Sequence, residues 1–199
     1  MASTATLTTL TARAANLLMD VSAVIFASAT IQEGIALALE EFNSVRAQEI
    51  IGTKTPTASN KIVSLSTLTG LLSVSKVWFP YTAATPEDPP NELRNWYLHW
   101  SAGVPELYLG DGALSPGGSD VARIFYTIPH TLNGLASAVT TTYPAIDDKL
   151  LVLGGAGYAC MGRSIDLAET AASQAVSTPN YAAIGRQLLD QFRFLLHGE

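Results

Sequence analysis

One glycine-rich run in the sequence has the residue types that dinucleotide-binding enzymes use to approach a pyrophosphate. Lys149 to Cys160 reads KLLVLGGAGYAC, an apolar run followed by closely spaced glycines. Gly154 and Gly157 match the first two glycines of a G-x-x-G-x-x-G pattern, but Cys160 stands where a third glycine would permit close helix–sheet packing. Only 39 residues follow Cys160, too few for the remaining strands of such a fold. A small dinucleotide-binding enzyme is therefore a remote alternative, and close packing of another helix backbone on these glycines is favoured.

The other residues that perform chemistry in enzymes do not form a recognisable site. His99, His130 and His197 are far apart in the sequence, and their spacing pairs none of them with a carboxylate. The sequence contains no phosphate-binding loop, no G-x-S-x-G nucleophile turn and no H-E-x-x-H zinc pair. Because Cys160 is the only cysteine, it forms neither an internal disulfide nor a cysteine-based zinc site, and we predict that it is buried. We predict no enzyme activity, no cofactor and no metal, and interpret His130 as a hydrogen-bonded hinge residue.

Composition favours self-association and argues against binding of DNA. Charged residues make up 14% of the chain, against about 25% in an average globular domain, and hydrophobic residues make up 48%. A chain so poor in charge is expected to cover part of its surface with other subunits. The net charge is −6, and the 11 basic residues are scattered, whereas nucleic-acid binders concentrate basic residues in a patch. Direct DNA binding is therefore not expected.

The N-terminal region does not read as a targeting or membrane segment. It lacks the basic start of a secretory signal. The apolar run Val21 to Ala29 is too short to span a bilayer, and Asp20 interrupts any longer version. We predict a soluble protein, made in a cytoplasm, with no membrane partner.

Helical patterns occupy both ends of the chain. The first predicted helix runs from Ser3 to about Asp20, with a threonine-rich start that favours fraying. The second is predicted to begin at a capping box formed by Thr30 and Glu33, and to end at Gly52. Apolar residues between them recur every three or four positions, as an amphipathic helix requires.

The C-terminal part predicts two further helices. One covers roughly Asp147 to Ala172, and the other begins at Thr178, which is followed by proline at the first helical position. The last helix has an unusually wide apolar arc, which indicates burial on two sides, by its own subunit and by a neighbour. The arc consists of Tyr181, Ile184, Leu188, Leu189, Phe192, Phe194, Leu195 and Leu196.

The middle of the chain reads as sheet. Trp96, Leu98 and Trp100 alternate with polar residues and are predicted to share one face of a strand. Leu107 to Leu109 and Val121 to Ile128 flank a loop rich in proline and glycine, which predicts an antiparallel hairpin between these two runs.

A second pair of strands is predicted between Lys61 and Tyr81, after a polar loop from Gly52 to Asn60. A turn near Gly70 separates them. Lys76 lies on the otherwise apolar face of the second strand, which indicates an edge position. Trp78, Phe79, Trp96 and Trp100 are interpreted as sheet core, or alternatively as residues that face a partner subunit.

Together these patterns predict one α+β domain that is mainly α. Residues 1–60 and 140–199 would form a four-helix bundle, with an antiparallel β subdomain at about 61–130 inserted between the second and third helices. The order resembles the head–tail adaptor proteins of tailed bacteriophages. The resemblance is carried by VARIFYTIPHTL at residues 121–132, where Tyr126 and His130 match a Tyr-x-x-x-His strand end. DDKLLVLGGAGYA at residues 147–159 and the last helix also match that family's layout.

This resemblance implies a structural virion protein at the neck, without catalytic residues. Its copies would form a ring, typically a dodecamer, beneath the portal protein. The ring would extend the DNA channel, through which DNA passes without specific binding, and dock the tail or stopper. Relatives often grip the portal with a C-terminal tail, whereas this chain stops at Glu199, so the portal contact stays open. The residues interpreted as candidate subunit or partner contacts are Trp78, Phe79, Tyr126, His130, Leu189, Phe192, Phe194 and Leu196. A tail terminator, a capsid decoration protein and a generic scaffold remain alternatives.

Overall fold

The computed structural model describes residues 1–56, 61–82, 92–110, 120–171 and 180–198. The chain divides into two compact units. The helical unit contains Met1–Ala47 and His130–Glu199, and the sheet unit contains Gln48–Pro129.

The described helices all lie in the helical unit. They are α1 (Leu7–Leu17), α2 (Ser28–Val45), α3 (Asp148–Ala171) and α4 (Tyr181–His197). A single 3-10 turn, Ala145–Asp147, leads into α3. The predicted start of the last helix at Thr178 lies outside the described residues, and the described part of α4 begins after Asn180, whose side chain accepts a hydrogen bond from the Ala183 amide.

The first two helices begin at other residues than the sequence predicts. Helix α1 starts after Thr6, because Thr6 and Thr9 form a reciprocal capping box there. Helix α2 starts at Ser28 with no side-chain cap, so the predicted capping box of Thr30 and Glu33 is wrong. Thr30 already lies inside the first turn of α2, so it is not the residue that caps the helix.

Helix α3 lies between α2 and α4, and glycines make both contacts close. A Cβ atom on Gly34 of α2 would lie 2.4 Å from the Gly155 carbonyl oxygen, and one on Gly157 would lie 2.8 Å from Leu189 Cγ of α4. A Cβ atom on Gly185 of α4 would lie 3.0 Å from the Gly157 carbonyl oxygen. The glycine run is thus one continuous helix with no preceding strand, so it does not form the turn of a dinucleotide site. The interpretation as close helix packing is confirmed.

The sheet unit contains two antiparallel sheets of three described strands each. The strands are β1 (Gln48–Lys54), β2 (Ile62–Ser64), β3 (Ser73–Tyr81), β4 (Trp96–Ser101), β5 (Val104–Leu109) and β6 (Val121–Ile128). One sheet has the order β1-β6-β3 and the other β2-β5-β4. Strand β3 is an outer strand of its sheet, with a register shift between Val74 and Lys76, which confirms the edge position predicted from Lys76.

The predicted hairpin between Leu107–Leu109 and Val121–Ile128 is wrong, because β5 and β6 belong to different sheets. The described hairpin is β4–β5, closed by Ala102 and Gly103 at φ values of 49° and 82°. Positive φ at both central residues matches the twist of the paired strands. The Pro-Gly-Gly loop itself falls within residues 111–119, which are not described.

Strand β1 contains residues that the sequence analysis assigned to the end of the second helix and to the start of a polar loop. Its residues pair with β6 from Gln48 opposite Ile128 to Lys54 opposite Ala122. The predicted alternation in β4 holds for Trp96 and Leu98, which pack against the core of the sheet unit, but fails at Trp100, which is 53% exposed.

Candidate subunit interface

Five of the eight residues predicted to make subunit contacts are instead core residues of their own unit. Phe79 and Tyr126 belong to the core of the sheet unit and are 2% and 8% exposed. Phe192 and Leu196, at 0% and 1%, are buried with Leu189 in the helical unit. The physical reason on α4 is the close approach of α3 at Gly157 and Gly154, which encloses these side chains. Their side chains are covered within the protomer.

His130 takes part in hydrogen bonds within the helical unit. Its backbone amide donates to Asn43 Oδ1 at 2.7 Å, and its carbonyl accepts from Asn43 Nδ2 at 3.2 Å. Its ring Nδ1 is 3.2 Å from Thr142 Oγ1. Burial lowers the pKa of His130, although Thr142 and the charge of Asp147 oppose that shift. The residue joins α2 to the segment that enters α3.

Polar contacts hold α4 at its C-terminal half. The Arg46 guanidinium, just after α2, donates to the Leu195 and Leu196 carbonyls and pairs with Asp147 at 3.2 Å. Arg193 pairs with Glu41 of α2 at 2.6 Å. Burial alone would raise the pKa of Glu41, but hydrogen bonds from Arg193 and Tyr158 outweigh it and lower that pKa. Helix α4 is therefore fixed with a defined outer face.

That outer face of α4 carries exposed apolar side chains. Phe194 is 63% exposed, Ile184 46% and Leu195 37%. Ile184, Leu188 and Leu195 follow at helical spacing and so share one side of the helix, whereas Phe194 lies about 100° around the helix from Leu195. The predicted two-sided burial of α4 is thus met on one side, by α3, while Ile184, Phe194 and Leu195 stay exposed in the protomer among polar side chains.

The loop between α1 and α2 is built around a buried carboxylate. Asp20 is 5% exposed and accepts hydrogen bonds from the backbone amides of Val24, Ile25 and Phe26, at 3.0, 2.9 and 2.6 Å. The bond from Phe26 lowers the pKa of Asp20 most, burial opposes it, and the other two bonds lower it further. Met19 and Ala23 adopt positive φ values of 54° and 52° to make this geometry, which L-residues rarely do. One side chain thus fixes the shape of the loop.

The same loop presents apolar side chains to solvent. Met19 is 92% exposed, Val24 81% and Val21 74%, and Leu17 and Ile25 are also exposed. Asp20 is the only charged residue between Arg13 and Glu33, and its charge is turned inward. Several exposed apolar side chains in one short loop make it a candidate interaction site.

The loop and the outer face of α4 are joined by an aromatic contact. Phe26 ends the loop, and its ring lies 5.4 Å from that of Tyr181, at the start of α4, in an edge-to-face arrangement. Tyr181 lies on the helical stripe that continues to Ile184. We call the exposed apolar side chains of residues 17–25, together with Ile184, the apolar patch. In the sequence, the apolar patch is indicated only by Asp20, an acidic residue inside an otherwise apolar run.

Neutralising Asp20 is expected to disorder the loop that carries most of the apolar patch. Because the folded-state pKa of Asp20 lies below 3.8, its stabilising charge is present above that pH and lost as the pH falls through the lowered value. Hydrogen exchange should therefore show the Val24–Phe26 amides protected at pH 5 and 7 and released in stronger acid. Asp20→Asn should lose that protection at pH 7, whereas Asp190→Asn, on the exposed side of α4, should keep it. Full protection in Asp20→Asn would contradict this account of the loop.

Within the described residues, no group of histidine, cysteine or acidic side chains is arranged to hold a metal ion. Burial raises the pKa of the Cys160 thiol to about 11, which disfavours the reactive thiolate. No described helix combines the length and the apolar character needed to cross a bilayer.

No family model and no curated protein matches the sequence. Among solved structures, a chain in the neck of an empty GTA particle, computed with C6 symmetry, aligns with 94% of this chain and 93% of its own. The two are 11% identical, with a TM-score of 0.32. A chain in the neck of a native GTA particle, computed with C12 symmetry, aligns over the same shares at 11% identity and a TM-score of 0.30.

Proposed function

We propose that this chain is a structural virion protein, a head–tail adaptor whose copies form a ring under the portal. The observation that carries the proposal is the apolar patch, which the protomer leaves uncovered although its loop is held in a fixed shape by Asp20. A fixed apolar surface binds a partner without first losing conformational entropy. The low charge content of the chain supports a second copy as that partner.

In the proposed ring, each copy places its apolar patch against a different surface of the next copy. Such head-to-tail contacts close into rings when the rotation between neighbours is regular. The family resemblance of residues 121–132 and 147–159 favours a dodecamer that extends the DNA channel and docks the tail or stopper. A net charge of −6 suits a channel wall that DNA passes without adhering to it.

Electron microscopy of particles that contain the protein tests its location. We expect density for the chain in a ring at the portal vertex, between the portal and the tail. The matched control is a particle assembled without the gene, in which that ring should be missing and the shell unchanged. Density spread over the capsid shell would contradict the proposal and favour a decoration protein, and density at the far side of the stopper would favour a tail terminator.

A further inference from the structure

A small cavity lies on the face of the β2-β5-β4 sheet that points away from the core of the sheet unit. Val63, Leu107 and Leu109 are buried in that core, so the residues that alternate with them point to the other side. The same alternation holds in β4, where Trp96 and Leu98 pack against the core. The cavity has a volume of about 60 Å³, and residues of all three strands line it: Ile62, Tyr97, His99, Glu106 and Tyr108.

Strand pairing places the lining residues in two adjacent rows across the sheet. In one row Tyr108 lies between Ile62 and Tyr97, and in the next row Glu106 lies opposite His99. The rings of Tyr97 and Tyr108 pack together, with their centres 4.8 Å apart and their planes 30° apart. The sheet therefore brings two aromatic rings and one carboxylate to the same small space.

The carboxylate of Glu106 is half-buried, and no lysine or arginine pairs with it. None of the ion pairs within the described part of the chain includes Glu106. All 11 lysines and arginines of the sequence belong to that described part, so the remaining segments contribute no such cation. The negative charge in the cavity is thus not balanced by a basic side chain of the same protomer.

The chemistry of the cavity selects a small cation. The face of an aromatic ring carries negative electrostatic potential, so the two tyrosine rings attract a cation as the carboxylate does. Glu106 would repel an anion. Pockets for larger ligands have volumes of about 300 Å³ or more, so this cavity admits a head group such as an ammonium or a guanidinium, but no nucleotide. Because the carboxylate is half-buried, water screens its attraction for the cation less than at an exposed site.

A single carboxylate matches a single positive charge, which favours a lysine or arginine side chain over a free polyamine. Glu106 is the only acidic residue in the three described strands of this sheet, so a ligand with several ammonium groups would find one partner for them. Tyr97 and Trp100 of β4 are 55% and 53% exposed. Tyrosine and tryptophan are among the residue types that dominate the energetics of protein–protein contacts.

We infer that this cavity binds the cationic side chain, a lysine or an arginine, of a partner protein, and that Glu106 and the two tyrosine rings hold its positive charge. The site uses none of the residues of the apolar patch. It does not rest on the proposed ring, because the chain would bind such a side chain whether or not its copies associate.

Saturation-transfer difference NMR on the full-length chain tests the inference, because it detects weak binding of a small probe to a large protein. The probes are N-acetyl-lysine methylamide and its arginine analogue, titrated at constant ionic strength, and the uncharged comparison is N-acetyl-norleucine methylamide. Glu106→Gln is the test variant. Glu49→Gln is its matched control, because it removes the same charge from an exposed position on β1, in the other sheet of the same unit. Circular dichroism of each variant shows that it is folded.

We expect Glu106→Gln to weaken binding of the cationic probes about tenfold or more, since contacts between charged groups contribute strongly. Tyr97→Leu should weaken it about threefold, the effect of one lost cation–π contact at an accessible site. Glu49→Gln should bind the probes as the wild type does, and the norleucine compound should not bind.

Four results would overturn the inference. Absence of saturation transfer to both cationic probes in the wild type would show that the cavity holds no cation. Equal weakening by Glu49→Gln and Glu106→Gln would show general attraction without a site. Equal binding of the norleucine compound would show an apolar cavity, and tighter binding of spermidine than of either probe, lost in Glu106→Gln, would assign the cavity to a free polyamine.

Discussion

Gly34→Ala is expected to lower the free energy of unfolding of the helical unit by about 2–3 kcal/mol, the range of an overpacked core partly offset by better helix propensity. The added methyl would lie 2.4 Å from the Gly155 carbonyl oxygen and 3.2 Å from the Ala159 nitrogen, and both are backbone atoms of α3. Because backbone cannot rotate aside as a side chain can, α2 and α3 must separate. Urea unfolding followed by circular dichroism of the helices measures the loss, at one fixed protein concentration.

Gly162→Ala is the matched control on α3. A Cβ atom there meets none of the described residues within 4 Å, so we expect only the better helix propensity of alanine, a gain of about 1 kcal/mol or less. The same chemical change thus has opposite signs at the two positions. Equal stability of the Gly34→Ala variant and the wild type would show that α2 and α3 do not cross as closely as described.

Val24→Asp is expected to separate the copies without unfolding them. Val24 is 81% exposed in the protomer, so the substitution should leave the helices folded, and its local cost is repulsion between the new carboxylate and that of Asp20, to which the Val24 amide donates. In an interface the new carboxylate would be buried among apolar side chains with no partner, a loss of several kcal/mol at each contact. We expect the assembled mass to fall to that of a single 21.0 kDa chain under conditions in which the wild type assembles.

Val139→Asp is the matched control for this prediction. Val139 is 82% exposed and receives the same substitution, but it belongs to the segment that bonds to the start of α1, where Leu7 donates to the Asn133 carbonyl. The loop that carries most of the apolar patch lies at the opposite, C-terminal end of α1. Val139→Asp should therefore keep the assembled mass. Loss of assembly in both variants, or in neither, would contradict the assignment of the interface to the apolar patch.

The helical periodicity of the sequence predicts the central packing of the helical unit well. Glycines in the middle of a long apolar helix are unfavourable unless a second backbone comes near, and this reasoning identifies the α3 contacts without the structure. The same reasoning fails on α4. Phe192 and Phe194 both belong to the apolar arc, but they point in nearly opposite directions, and only the position of Gly157 and Gly185 decides which one α3 covers.

Other features depend on pairings that local patterns do not encode. Residues 121–128 form a good strand, yet they pair with β1 and β3, which are distant in sequence, whereas residues 107–109 belong to a strand that pairs through a two-residue turn with β4. The Asp20 loop is local in sequence, but it requires positive φ at Met19 and Ala23, residue types that rarely adopt it. Its role therefore became visible only in three dimensions.

The native mass of the purified full-length chain, measured by mass photometry across a concentration series, tests most directly that copies of this protein sit side by side. The proposal predicts a closed species, twelve copies of the 21.0 kDa chain if the ring is a dodecamer, that Val24→Asp abolishes. A wild-type chain that stays at 21.0 kDa at the highest concentrations, with the apolar patch still exposed, would contradict it.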